Sequence, residues 1–249
     1  MRVFLGGFGV QGMLAIPFLD ALEELGINGE MVVNGIGGYH AVVRKVLGRE
    51  EALRRTFELI ERIDHELYMI ERRWICEGKR KKGWKMVSVE HCVRLALEES
   101  FRNWEDVEDL LKGLDAEVDV GAEYIDLLGN VGVFKGKAVD VAKVSLAMVG
   151  VFPPHLEKLS TTHLTQIPVL TAEDGDLVLV NFRDPSLCDF DKADEILSQS
   201  AEVRSISFAK SVLSEKSVRK VEVSPITRLD LGFLDEIRET IVGKLEGSI

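Results

Sequence analysis

The sequence predicts a three-layer α/β/α fold around a mostly parallel central sheet, and three observations carry that expectation. Two short apolar runs, Val3-Phe4-Leu5 and Met31-Val32-Val33, each break into a glycine-rich turn that feeds a helical stretch. Later apolar runs such as Leu177-Val178-Leu179-Val180 alternate with helical periodicity, the pattern of a sheet covered on both faces. A length of 249 residues with 46% hydrophobic content is enough to build one core, so residues 1–249 are read as a single domain.

The first strand ends in Gly6-Gly7-Phe8-Gly9-Val10-Gln11-Gly12, and the helix from Met13 to Leu25 stops at Gly26. The second ends in Asn34-Gly35-Ile36-Gly37-Gly38, and a helix is expected from Tyr39 to Leu47, stopped by Gly48. Two glycine turns that open helices put free backbone N–H groups at one end of the sheet, where open α/β sheets bind ligands. Gly7-Phe8-Gly9-Val10-Gln11-Gly12 also reads as G-x-G-x-x-G, the dinucleotide fingerprint. The acid that should close the second strand and hold a ribose is missing, because Glu30 begins that strand and Asn34 ends it. Dinucleotide binding therefore ranks behind the readings below.

Glu50 to Trp74 carries the clearest helical period, with Leu53, Phe57, Ile60, Ile63, Leu67, Ile70 and Trp74 on one stripe. Glu50–Arg54, Glu51–Arg55 and Glu58–Arg62 stand acid-first at i,i+4 and mark a solvated face. The basic run Lys79-Arg80-Lys81-Lys82-Gly83-Trp84-Lys85 reads as a solvated loop; its functional reading is a lid, or peripheral contact with an anionic membrane. Ser88 is placed to cap the next helix, and Asn103 with Asp106 to open another running through Leu114. From Ala116 the period becomes that of strands, with Ala122 to Leu128 and Val131 to Phe134 flanking a Gly129-Asn130 hairpin turn. A helix over Lys137 to Met148, the Leu177–Val180 strand, a helix from about Asp191 to Ser200, a strand over Lys220 to Val223 and a helix over Leu234 to Leu245 complete the chain.

Composition narrows the function. A net charge of −11 opposes a nucleic-acid partner. No apolar run reaches membrane-spanning length. The chain enters its first strand without a signal-type segment, and Cys76, Cys92 and Cys188 have no metal-like spacing. A cytoplasmic protein without cofactor or metal is the expectation. Homo-oligomerisation is left open.

Several segments, in order, resemble the patatin-like acyl hydrolases. Leu19-Asp20-Ala21-Leu22-Glu23-Glu24-Leu25-Gly26-Ile27 is similar to that family's first helix. Ala138 to Pro154 is similar to its helix running into a P-G-x-F-P-P turn, and Gln166-Ile167-Pro168-Val169 to its N-x-P-V segment. Gly175-Asp176-Leu177-Val178-Leu179-Val180 resembles the strand that follows. The resemblance implies a Ser–Asp dyad acting on lipid acyl esters, with the serine in a G-x-S-x-G elbow. That elbow falls on Gly35-Ile36-Gly37-Gly38-Tyr39, so Gly37 stands at the nucleophile position. The aspartate position falls near Ser160, and no acid lies between Lys158 and Ala172. The family's oxyanion loop corresponds to Gly7, Phe8, Gly9, Val10, Gln11 and Gly12, with Phe8 and Gln11 replacing a glycine and a basic residue.

The expected function is therefore that of a catalytically inactive relative. It would bind a small acyl or anionic ligand, or a protein partner, in a remnant cleft whose candidate residues are Gly38, Tyr39, His40, Thr161, Thr162 and His163. The alternative is an active lipid acyl hydrolase with a relocated nucleophile, drawn from Ser160 with His40 or His163 as base.

Overall fold

A computed structural model describes residues 1–7, 9–63, 104–148, 151–182, 193–224 and 231–247. Phe8, the Lys79–Lys85 run, the Ser88 cap, Asn103, the three cysteines and the stripe beyond Ile63 lie outside these residues. Among the described residues seven strands form one sheet: β1 (Arg2–Leu5), β2 (Glu30–Val33), β3 (Glu117–Asp126), β4 (Val131–Lys137), β5 (Lys158–Ser160), β6 (Leu177–Val180) and β7 (Arg219–Glu222). Their order is β4-β3-β2-β1-β6-β7. The sheet is mixed: β3–β2–β1–β6–β7 are parallel, whereas β4 and β5 run antiparallel to β3. β5 pairs with Tyr124–Asp126, past the point where β2 leaves β3 at Ala122.

The apolar runs are continuous because both faces are covered. Side chains alternate along each strand, so Leu5, Val33, Leu177 and Leu179 join one core while Phe4, Val32, Val178 and Val180 join the other. The first core is closed by α1 (Ala15–Glu24), α2 (Gly35–Leu47), α3 (residues 49–63), α4 (Glu108–Leu111) and α5 (Ala138–Leu146). The short α6 (Thr162–Thr165) leads into Ile167 and Val169. These two pack in the second core with Ala209 and Leu213 of α7 (Ala193–Ser214). The last helix, α8 (Leu231–Glu246), returns to the first face through Leu234, Ile237 and Ile241.

Several boundaries differ from the sequence reading. α2 begins at Gly35 rather than Tyr39, since its glycines lie inside the first turn. The buried stripe of α3 is Ala52, Thr56, Leu59, Ile60 and Ile63, and Leu53 and Phe57 are only half-buried. Arg55 pairs with Glu51 and Arg62 with Glu58 as the spacing suggests, but Arg54 takes Glu51 and Glu58 instead of Glu50. Arg62 also reaches Asp109, and Arg55 the carbonyls of Leu110 and Lys112, so this face clamps α4 as well as meeting solvent. The helix expected through Leu114 is a 3₁₀ turn, Trp104–Val107, followed by the four-residue α4. α7 runs past Ser200 because Ile206, Ala209 and Leu213 extend its buried stripe. Among the described residues no helix is long and apolar enough to cross a membrane.

Candidate functional site

The two glycine turns meet directly. A 3₁₀ helix, Gly9–Leu14, leads from the first turn into α1. The Gly7 carbonyl accepts the Ile36 N–H at 2.8 Å and the Gly37 N–H at 3.3 Å, while the Gly38 N–H goes to the Asn34 carbonyl. Two first-turn donors of α2, the Ile36 and Gly37 N–H groups, are thus taken by the chain itself rather than left for an anion. Contact this close requires glycine. A Cβ at Gly12 would lie 2.6 Å from the Gly7 oxygen, and one at Gly35, where φ is +62°, would lie 2.3 Å from the same atom. At Gly37 a Cβ would meet the Gly12 oxygen and two backbone carbons of Gly6, each at 3.1 Å. Gly38 packs on Val33 and Ser145, and Gly9 is the member of the first turn with open space around it. The Gln11 carbonyl accepts the Asn181 amide at 3.0 Å.

Beside this junction lies a buried polar cluster that sequence reasoning missed. Glu123 of β3 is fully buried, and both of its carboxylate oxygens are occupied. One accepts the Thr171 N–H and hydroxyl at 2.8 Å each; the other accepts the Thr161 hydroxyl at 2.7 Å and the Val169 N–H at 3.2 Å. Burial pushes the Glu123 pKa up, and these four donors pull it back down. The Thr161 oxygen in turn accepts the Asn34 amide at 3.1 Å. Asn34 precedes α2 and is itself buried, with its Oδ1 accepting no hydrogen bond from a described residue. The only sign of this cluster in the sequence is an acid standing in a run of strand residues after Ala122.

The segment from Ser160 to Val169 does come to the N-terminus of α2. Thr162 Oγ1 lies 3.1 Å from where Gly35 would carry a Cβ, and Pro168 lies 2.7 Å from the same point on Gly6. Ser160, Thr161 and Thr162 are all buried, and the Ser160 and Thr162 hydroxyls bond each other at 2.7 Å. His163 Nδ1 donates to the Ser160 carbonyl at 2.7 Å, not to its hydroxyl, and burial lowers its pKa. Ser160 therefore has no base on its hydroxyl among the described residues. Gln166 closes the segment at φ +60°, with the Ile167 N–H reaching back to the Thr165 carbonyl in a strained γ-turn.

Tyr39 and His40 do not join this group. The Tyr39 hydroxyl donates to the Leu110 carbonyl at 2.9 Å deep in the first core, and burial raises its pKa. His40 Nδ1 meets the Thr56 hydroxyl at 2.9 Å. Burial, helped by the Arg44 charge, lowers the His40 pKa to about 3. Both side chains follow the α2 face that packs on α3 and α4, which a residue count from the elbow does not reveal. The His40 ring is expected to show no NMR titration between about pH 5 and 8. Its depressed pKa supplies stability present above about 6.5 and lost as pH falls toward 3, at about 1.4 kcal/mol per pH unit.

The Thr161–Glu123 contact has the form of a hydroxyl beside a base, but both groups are sealed in the core and Thr161 is also tied by Asn34. No cluster of His, Cys, Asp and Glu suited to a metal occurs among the described residues. Fold and site define an α/β protein whose sheet end is closed by two interlocked glycine turns. No known family model matches the sequence, and no curated protein does.

Proposed function

We propose that this chain is a patatin-like protein that lacks acyl-hydrolase chemistry and acts by binding. The observation that carries this reading is the closed junction at Gly37, where an attacking serine would stand in such a hydrolase. Gly37 has no side chain, and the backbones of Gly6 and Gly12 occupy the space around it. The position of the activating acid holds Ser160, Thr161 and Thr162, whose hydroxyls are absorbed into a buried network. The Ile36 and Gly37 N–H groups at the start of α2 already serve the Gly7 carbonyl. Their occupancy favours a protein partner or an uncharged acyl ligand over an anion.

Incubation with a fluorophosphonate probe is expected to label no serine, and p-nitrophenyl esters are expected not to turn over. Gly37→Ser is expected to remain silent in both assays, because a hydroxyl added there gains no base. Robust labelling of the wild-type chain would overturn the proposal.

A further inference from the structure

The described residues include seven exposed large hydrophobic side chains, and four of them gather in one place. Leu127 and Leu128, at 65% and 89% exposure, form the turn between β3 and β4, and Val131 opens β4. Asp126 pairs with Lys158 across β3 and β5, so the turn that contains Leu156 emerges beside Leu127 and Leu128. The tip projects from the carboxyl end of β3, the same end of the sheet as the glycine turns.

Two features show that the tip is built rather than loose. The Asp126 carboxylate turns back on its own loop, accepting the Leu128 and Asn130 N–H groups and the Asn130 side-chain amide at 2.8–2.9 Å. The second turn holds Leu156 at φ +52° and Glu157 at φ +59°, in a two-residue connection whose ends, His155 and Lys158, bond each other twice at 3.0 Å. Glycine or asparagine is the usual choice at such positions, so a leucine there is costly to the backbone and gains nothing from burial. Below the leucines, the Lys158 ammonium lies over the rings of Tyr124 and Phe134 at 5.1 and 5.6 Å. The order outward is thus an aromatic and lysine collar, then leucines.

We propose that this tip is a docking element that inserts into the interfacial region of an uncharged lipid bilayer. At these exposures the four side chains offer roughly a few hundred Å², short of the about 800 Å² per partner that a stable dimer needs. A protrusion of this size needs no complementary groove in a bilayer, where leucines enter the acyl boundary and tyrosine and lysine stay at headgroup level. The net charge of −11, with Glu157 at the rim, directs it to zwitterionic rather than anionic lipid. The inference is independent of whether the chain hydrolyses esters.

The test is flotation of the full chain with phosphatidylcholine vesicles, with and without added phosphatidylserine. The wild type is expected to float with phosphatidylcholine and no better when phosphatidylserine is added. A Leu127→Ser, Leu128→Ser double variant is expected to partition at least about tenfold less. Its thermal unfolding should match the wild type, since both side chains are exposed. The proposal is overturned if the wild type stays unbound, if the double variant floats equally, or if the substitutions dissolve a dimer in solution and leave flotation unchanged. Binding that grows with phosphatidylserine equally in the wild type and the double variant would also overturn it.

Discussion

Gly35→Ala is expected to lower stability by about 3 kcal/mol or more, read from denaturant or thermal unfolding. Two effects add at this position. The backbone sits at φ +62°, where an L side chain costs about 1–2 kcal/mol. The new methyl would also fall 2.3 Å from the Gly7 oxygen and 2.9 Å from its carbon, which are backbone atoms of a turn that donates nothing to relieve the overlap. Gly26 separates the two effects. It has the same φ of +62°, and a Cβ there would meet nothing within 4 Å. Gly26→Ala should therefore show the conformational cost alone, about 1 kcal/mol. Equal losses at the two sites would mean that the turns yield easily and that the closed junction is soft.

Glu123→Gln is expected to cost about 2–4 kcal/mol, because an amide must turn its own N–H groups toward at least one backbone donor. Thr161 and Thr171 can rotate their hydroxyls to accept, but the Val169 and Thr171 N–H groups cannot. The consequence should spread through the loop from Val169 to Asp176. That loop is also held by Lys216, which donates to the Val169 and Leu170 carbonyls, and by Arg2, which donates to the Thr171 carbonyl and to Asp176. The pH dependence has a defined sign. Burial raises the Glu123 pKa, so the native state binds this proton more readily than the unfolded chain does. Wild-type stability then gains from Glu123 as pH falls from the raised value to the ordinary carboxylate range. Glutamine has no such gain, so the gap between wild type and variant should widen on acidification. A gap that narrows would mean that the four donors outweigh burial.

The α/β class and the places of most strands were legible because apolar runs bounded by glycines state their own limits. Val3 to Leu5, Met31 to Val33 and Leu177 to Val180 all became strands, buried on both faces except at the half-buried Met31. The hairpin at Gly129 was plain too, with Gly129 at φ +88°, but its turn covers Leu127 to Asn130 rather than two residues, because β3 ends at Asp126. What sequence could not supply was direction. Tyr39 and His40 follow the second glycine turn and look like neighbours of a cleft, but helical rotation carries them to α4 and α3. Glu123 lies 38 residues from Thr161, and its donors are largely backbone groups that leave no side-chain signature. The same limit applies to Gly12 and Gly35. Their glycines suggest room for a ligand, and the residue that fills the room is Gly7 of the same chain.

The hydrogen bonds from Ile36 and Gly37 to Gly7 also bear on how the molecule can move. Glycine-rich turns are commonly taken as hinges, because their torsion angles change at little cost. Here the two turns are fastened to each other by both bonds to the Gly7 carbonyl, which a rotation of that peptide would break. The ends of β1 and β2 are therefore tied to each other by backbone as well as by their strand pairing. In this chain the glycines mark where the fold is welded.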